Sequence, residues 1–336
     1  MPAVITHDTF GRDIYDSLHE AVGSTRDELQ AFLLGNQGPD VLFFGALDPR
    51  TIGAPAVGVR MHRERTAELL AAFRCAVDDI APGFAMPTDA GGNSPTASAR
   101  RIGRAYAMGL LCHYLLDSGL HPFIYAQQWE LCDAGVPGLD RACAHEVHAT
   151  IESELDELVL STKHGCTIAS FDPSHKTLAA TDHVLNVVGA LYRRVAQQVY
   201  DERLSQSAVR ICAKAYRTAL RALWSPSGAK REVLTALEHL FREHSLLRAM
   251  SHQDRPLYAS QFDNAEHREW RDPATGALST ASFWDLYDAA ARRARADVVA
   301  FADTDDACAF TRTTTAGLNF NGEPTEATII ATTTLA

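Results

Sequence analysis

The chain lacks any run of the roughly 20 apolar residues that a membrane-spanning helix requires. Its start, MPAVITHDTFGRD, has no basic segment, apolar run or small-residue cleavage site of a secretory leader, so a cytoplasmic location is expected. CxxC pairs are also missing. The seven cysteines (Cys75, Cys112, Cys132, Cys143, Cys166, Cys212, Cys308) are odd in number and widely spread, which argues against a disulfide framework or a thiolate zinc site. They are expected as reduced, small core residues. Positive charge is in deficit: 31 Lys and Arg face 42 Asp and Glu, a net charge of −11. That leaves no electrostatic footprint for nucleic acid or anionic lipid, and no nucleic-acid partner is expected. Neither an internal repeat nor the strand–helix alternation of a parallel sheet is present. What remains is an ordinary globular composition, 46% hydrophobic over 336 residues, enough for one large domain or two modest ones.

The periodic segments are helical. Thr25 and Glu28 stand at capping-box spacing, starting a helix that should stop near Gly35. Further helices are expected over 61–80, from 98 to beyond Asp117, and over 139–163, the last ending at His164-Gly165. Others are expected over 182–203, 208–223, 230–247 and 282–302. Residues 81–96, 133–139 and 166–178 read as loops. The stretch 250–280 is polar with scattered aromatics. From 303 onward the chain is rich in Thr, including Thr328–Thr333, and reads as a strand or two or as an extended wrap. The expectation is an all-α, multi-helix domain with long loops over 1–302 and a tail over 303–336, with no linker sharp enough to divide it.

The chemistry is concentrated in Tyr106–Tyr125. His113, Asp117 and His121 are spaced four apart, which puts all three on one helix face. Their neighbours Leu110, Leu111, Leu115, Leu116, Phe123 and Ile124 are apolar, and two imidazoles with a carboxylate are costly there unless paired or metal-bound. A buried His–Asp ion pair is the plainer alternative. A second pair, His148 and Glu152, is again four apart, with His145 one turn earlier; here the alternative is an exposed charged face, since Glu154, Asp156 and Glu157 follow. Upstream, Asp40 sits in a Gly38-Pro39-Asp40 turn, His62 at an expected helix start, and His7 near the beginning. Imidazole and carboxylate together suit zinc.

In their order, these motifs resemble the zinc-dependent phospholipase C family, whose all-helical fold is shared with P1-type nucleases. The resemblance covers roughly residues 1–160. It implies that Asp40, His62, His113 and Asp117 hold one zinc ion, and His121, His148 and Glu152 a second. It also implies a third ion on His7 with Asp117 bridging, and Asp40 as a general base. The activity implied is hydrolysis of a phosphodiester, with phospholipid or another small phosphodiester as substrate. Clustered divalent ions suit that chemistry because they hold phosphate oxygens and lower the pKa of water.

Arg60, Arg63 and Arg104 lie near the motifs and could meet phosphate. The segment Asp263–Trp270 reads as a surface connection tied down by Trp270, with a pocket wall as the alternative. His239 and His244, five apart, read as solvated. Two other functions stay open: a nuclease of the same fold, and a non-catalytic metal-bearing protein. Oligomeric state is not legible.

Overall fold

Thr25 and Glu28 make the capping box that their spacing predicts. The Glu28 amide donates to Thr25 Oγ1 at 3.2 Å and the Thr25 amide to Glu28 Oε2 at 2.9 Å. The helix they start is the second of a structure whose described residues are 69% helical and 2% strand. A computed structural model describes residues 3–81, 95–240 and 244–325. In chain order its helices are α1 (Val4–Val22), α2 (Arg26–Gln37), α3 (Ala54–Arg63), α4 (Thr66–Asp78), α5 (Pro95–Cys132), α6 (Ala144–His164) and α7 (Pro173–Lys176). They continue as α8 (Asp182–Tyr200), α9 (Ala208–Leu223), α10 (Ala229–Glu238), α11 (Leu246–Ala249), α12 (Phe283–Asp303) and α13 (Ala307–Thr315). A 3₁₀ segment, Gly38–Leu47, follows α2. One antiparallel hairpin, β1 (Trp270–Arg271) with β2 (Leu278–Ser279), lies in the polar stretch. The all-α expectation holds, and among the described residues no helix is long and apolar enough to cross a membrane.

Several boundaries differ from expectation for identifiable reasons. The helix expected over 61–80 is two, α3 and α4, broken at Arg65, whose φ is 53°. The end of α8 holds the break: Tyr200 Oη donates to the Glu64 carbonyl at 2.9 Å and the Arg65 guanidinium to the Val199 carbonyl at 2.6 Å. His62 therefore sits in the last turn of α3 and not at a helix start. The helix expected over 230–247 stops at Glu238, whose carboxylate accepts from Ser245 Oγ and the Leu247 amide at the start of α11. Residues 4–22, given no element above, form α1. The expected loop over 81–96 lies mostly outside the described residues. The segment after 303 is neither strand nor extended wrap as far as Thr325: it forms α13 and a tight turn, and Thr328–Thr333 lie outside the described residues.

The chain forms two compact units. The first draws on Met1–Thr9, Gly119–Thr177 and Arg217–Ala289, the second on Phe10–Ser118, Leu178–Tyr216 and Ala290–Ala336. Four of the five divisions fall inside α1, α5, α9 and α12, where no shift of composition marks them, and the fifth falls at Thr177–Leu178, between α7 and α8.

In the first unit, Asp156 of α6 is fully buried and satisfies the opening turn of α1. It accepts the amides of Ile5 (3.1 Å) and Thr6 (2.7 Å), the Thr6 hydroxyl (2.6 Å) and His252 Nε2 (3.0 Å). Helix N-termini leave such amides without intrahelical partners, so a carboxylate there is favourable in both hydrogen bonding and dipole. Trp270 is tied down as expected: it packs on Phe123 and donates Nε1–H to the Ala281 carbonyl.

In the second unit, α2 and α5 touch backbone to backbone. A Cβ at Gly109 would stand 2.0 Å from the Phe32 carbonyl oxygen, and one at Gly35 2.4 Å from that of Tyr106. Phe73 of α4, Tyr106 of α5 and Tyr192 of α8 pack ring against ring, with the two hydroxyls 2.6 Å apart.

Candidate metal centre

Among the described residues, each unit assembles a group of imidazoles and carboxylates within itself. In the second unit the ligand atoms of His62, His113 and Asp117 lie within 4.8 Å of one another. Asp40 adjoins them, with its Oδ1 3.0 Å from His62 Nε2. His113 Nε2 lies 3.3 Å from Asp117 Oδ2. All four side chains are buried, His113 completely.

Local sequence explains the placement. Gly38 ends α2 with φ 49° and turns the chain so that Asp40 enters on the 3₁₀ segment. Helix α3 brings His62 and α5 brings His113 and Asp117 on one face, as their spacing predicts.

The protonation of these histidines is constrained by their other nitrogens. His62 Nδ1 lies 2.7 Å from the Gly58 carbonyl and His113 Nδ1 3.1 Å from the Asn36 carbonyl. A carbonyl oxygen only accepts, so Nδ1 carries the hydrogen in each ring. A neutral imidazole then presents a lone pair at Nε2, directly toward a carboxylate oxygen. At His62 the approach has no hydrogen-bond geometry. Two lone pairs at such separations repel unless a cation or a second ring proton lies between them. Fixing Nδ1 on a carbonyl is also how metal-bound histidines are commonly oriented.

In the first unit His121 of α5 and His148 and Glu152 of α6 form the other group, within the same 4.8 Å. Glu152 Oε1 is 3.3 Å from His148 Nε2 and 3.8 Å from His121 Nε2. Gln128, buried on α5, places its Oε1 2.8 Å from His148 Nδ1 and repeats the orienting contact with a side chain. Tyr125 packs against both rings. Burial lowers the pKa of His148 despite the pull of Glu152, so its neutral, ligating form is favoured. Burial pushes the Glu152 carboxyl up, but the facing imidazoles, where protonated, help hold it well below its usual range. Asp40 behaves likewise: burial raises it, while His62 and His113, where protonated, bring it down to about 2. At neutral pH the Asp40 carboxylate is therefore ionised, the form that a metal ligand requires.

The remaining positions are placed as follows. His7 is buried on α1, one residue past the turn that Asp156 clamps. His145 is exposed and belongs to neither group. The helix after Glu152 is not an open charged face, since Asp156 and Glu157 are buried and hydrogen-bonded. Arg60 is bound to Glu64, Glu202 and the Tyr200 carbonyl, and Arg104 to Asp303 and the Ala302 carbonyl. Asn36, Gln128 and Gly58 were not singled out above; Asn36 and Gln128 act through tertiary contacts that spacing along one helix does not reveal, whereas Gly58 lies one turn before His62 on α3 and offers only its backbone carbonyl.

No family model, curated protein or solved structure matches the chain.

Both groups fit a divalent ion by their donor types, imidazole nitrogen and carboxylate oxygen: the second unit's group is buried, His121 and His148 of the first are half-buried beside buried Glu152, and His62, His113 and His148 are oriented through Nδ1.

Proposed function

We propose that the protein is a zinc-dependent phosphodiester hydrolase of the phospholipase C type, with the helical fold of that family and of the P1-type nucleases. The observation that carries this reading is the pairing of carbonyl-anchored imidazoles with buried carboxylates, at the motif positions of the family resemblance. Asp40, His62, His113 and Asp117 would hold one zinc ion and His121, His148 and Glu152 another; His7 is the candidate ligand for a third. Bound zinc would supply a Lewis acid for a phosphate oxygen and acidify water for attack. The chain's own part is to orient Nε2 of each histidine, keep the carboxylates ionised and exclude bulk water. Phospholipid or a small phosphodiester is the substrate class. The net charge of −11 gives no support to a nuclease, which needs a basic track for its polyanion.

One observation favours a second reading, a metal-bearing protein without hydrolase activity. Arg60 and Arg104 are already engaged by protein oxygens, so neither is held in reserve for phosphate. Hydrolysis of a chromogenic phosphocholine ester and of a bis-aryl phosphate separates the two. The hydrolase reading expects turnover that is lost on chelation, restored by zinc and abolished in His113→Ala. Zinc bound without turnover of either ester would leave the second reading standing. Turnover by His113→Ala at the wild-type rate would remove the assigned site.

A further inference from the structure

The turn that follows α13 reaches into the second unit's histidine group. Phe320 is completely buried, and its ring lies 5.2 Å from that of His62 and 5.5 Å from that of His113, centroid to centroid. It also meets Tyr114, the neighbour of His113, edge to face at 5.2 Å. The Phe320 amide donates to the His62 carbonyl at 3.1 Å. One residue thus touches both imidazoles and the backbone of one of them.

The turn is built to present that ring. Asn319 Oδ1 accepts the amides of Asn321 (2.8 Å) and Glu323 (3.0 Å), while Glu323 Oε2 accepts from the side-chain amides of Asn319 and Asn321, each at 3.1 Å. The Thr325 amide closes the turn on the Gly317 carbonyl at 2.8 Å, and Tyr114 Oη donates to the carbonyls of Thr315 and Leu318. Polar groups of the turn are spent on the turn itself, and the phenyl ring is the part that projects inward.

An imidazole rotated by half a turn exchanges Nδ1 with Cδ2 and Nε2 with Cε1. The carbonyls of Gly58 and Asn36 oppose that rotation through one hydrogen bond each. We infer that Phe320 is a positioning residue of the His62–His113 group: its ring wedges both imidazoles into the rotamer that points Nε2 at Asp40 and Asp117, and it keeps water from competing for those nitrogens. The inference rests on the metal-centre reading. It makes the turn after α13 a working part of the centre, although none of the assigned ligands lies in it.

The test compares full-length wild type with Phe320→Ala, Phe320→Leu and Phe301→Leu. Phe301 is a buried phenyl of α12 packed on Phe310 of α13 and serves as a control for lost core packing. Zinc affinity is read by competition with a chromophoric chelator, and imidazole tautomers by ¹⁵N shifts in the metal-free protein. Outer residues that orient ligands typically affect affinity by about 10–100-fold, so Phe320→Ala should bind zinc that much more weakly. Phe320→Leu, which keeps most of the wedge, should recover to within about threefold of wild type, and Phe301→Leu should lower the melting temperature while leaving affinity unchanged. The Nδ1–H tautomer of His62 and His113 should become mixed in Phe320→Ala alone. Wild-type affinity with unmixed tautomers in Phe320→Ala would overturn the inference. Should the wild type bind no zinc, the metal-centre reading fails by itself, and the tautomers still decide the positioning role.

Discussion

A Cβ built on Gly38 would stand 2.3 Å from Cδ2 of the His113 imidazole. The same residue has φ 49°, a conformation that side chains other than glycine adopt at a cost. Gly38→Ala should therefore do two things. It should destabilise the fold by on the order of 3 kcal/mol, from strain and overpacking together. It should also displace His113 and weaken metal binding beyond what the loss of stability explains. Denaturant titration with parallel zinc competition checks both. A variant as stable as wild type with full zinc affinity would mean that the ring is not held where it is described.

The two histidine groups use different ligands, so they should empty separately. His62→Ala should lower zinc content by the ion of the second unit, and His148→Ala by the ion of the first. Elemental analysis of tag-free protein checks this, with the double variant expected to hold almost none. Loss of all metal from either single variant would show that neither group holds an ion without the other. No tightly bound metal in the wild type, even after growth with zinc, would instead favour plain buried His–carboxylate ion pairs.

Asp156 belongs to neither histidine group and anchors the start of α1, next to His7. Replacing it by Ala leaves two backbone amides, a hydroxyl and His252 without their common acceptor. Removing a buried charged acceptor of this kind costs about 3–5 kcal/mol. Asp156→Asn keeps one oxygen and should cost less than Asp156→Ala. Chemical denaturation at neutral pH checks the order, and equal stability of all three proteins would contradict the role.

These cases show what can be read from sequence and what cannot. Spacing alone placed His113, Asp117 and His121 on one face of α5 and paired His148 with Glu152, because a helix repeats its faces regardless of context. The Thr25–Glu28 cap was legible for the same local reason. The break at Arg65 was not, because it is held by Val199 and Tyr200, more than a hundred residues away in sequence. The same is true of Asp156 and Phe320: a carboxylate after Glu152 looks like a solvated face, and a Phe in a Thr-rich tail looks incidental, until tertiary contacts supply their partners. The backbone contact of α2 with α5 lies between. Gly35 was legible as a helix stop, but not as the residue that meets Gly109.

Acid should destabilise the metal-free protein in two stages. The pKa of His148 is lowered by burial, against the opposing pull of Glu152, so the folded state resists a proton that the unfolded chain takes up near its ordinary value of about 6.5. Between the two pKa values the unfolded state binds more protons, so stability rises with pH there and falls on acidification. The carboxylates act later. Glu152 is held well below its usual range and Asp40 at about 2, so their contribution is present above the ordinary carboxylate pKa and lost only as pH drops below about 4. Thermal unfolding in chelator should therefore show a first loss starting near pH 6.5 and a second below about 4. His148→Asn removes the titrating imidazole and should flatten the first stage, while the second should persist through Asp40 and shrink only by the part of the Glu152 shift that His148 supplies. A wild-type midpoint constant from pH 7.5 to 5, or a first stage unchanged in His148→Asn, would show that this imidazole is not buried neutral against Glu152.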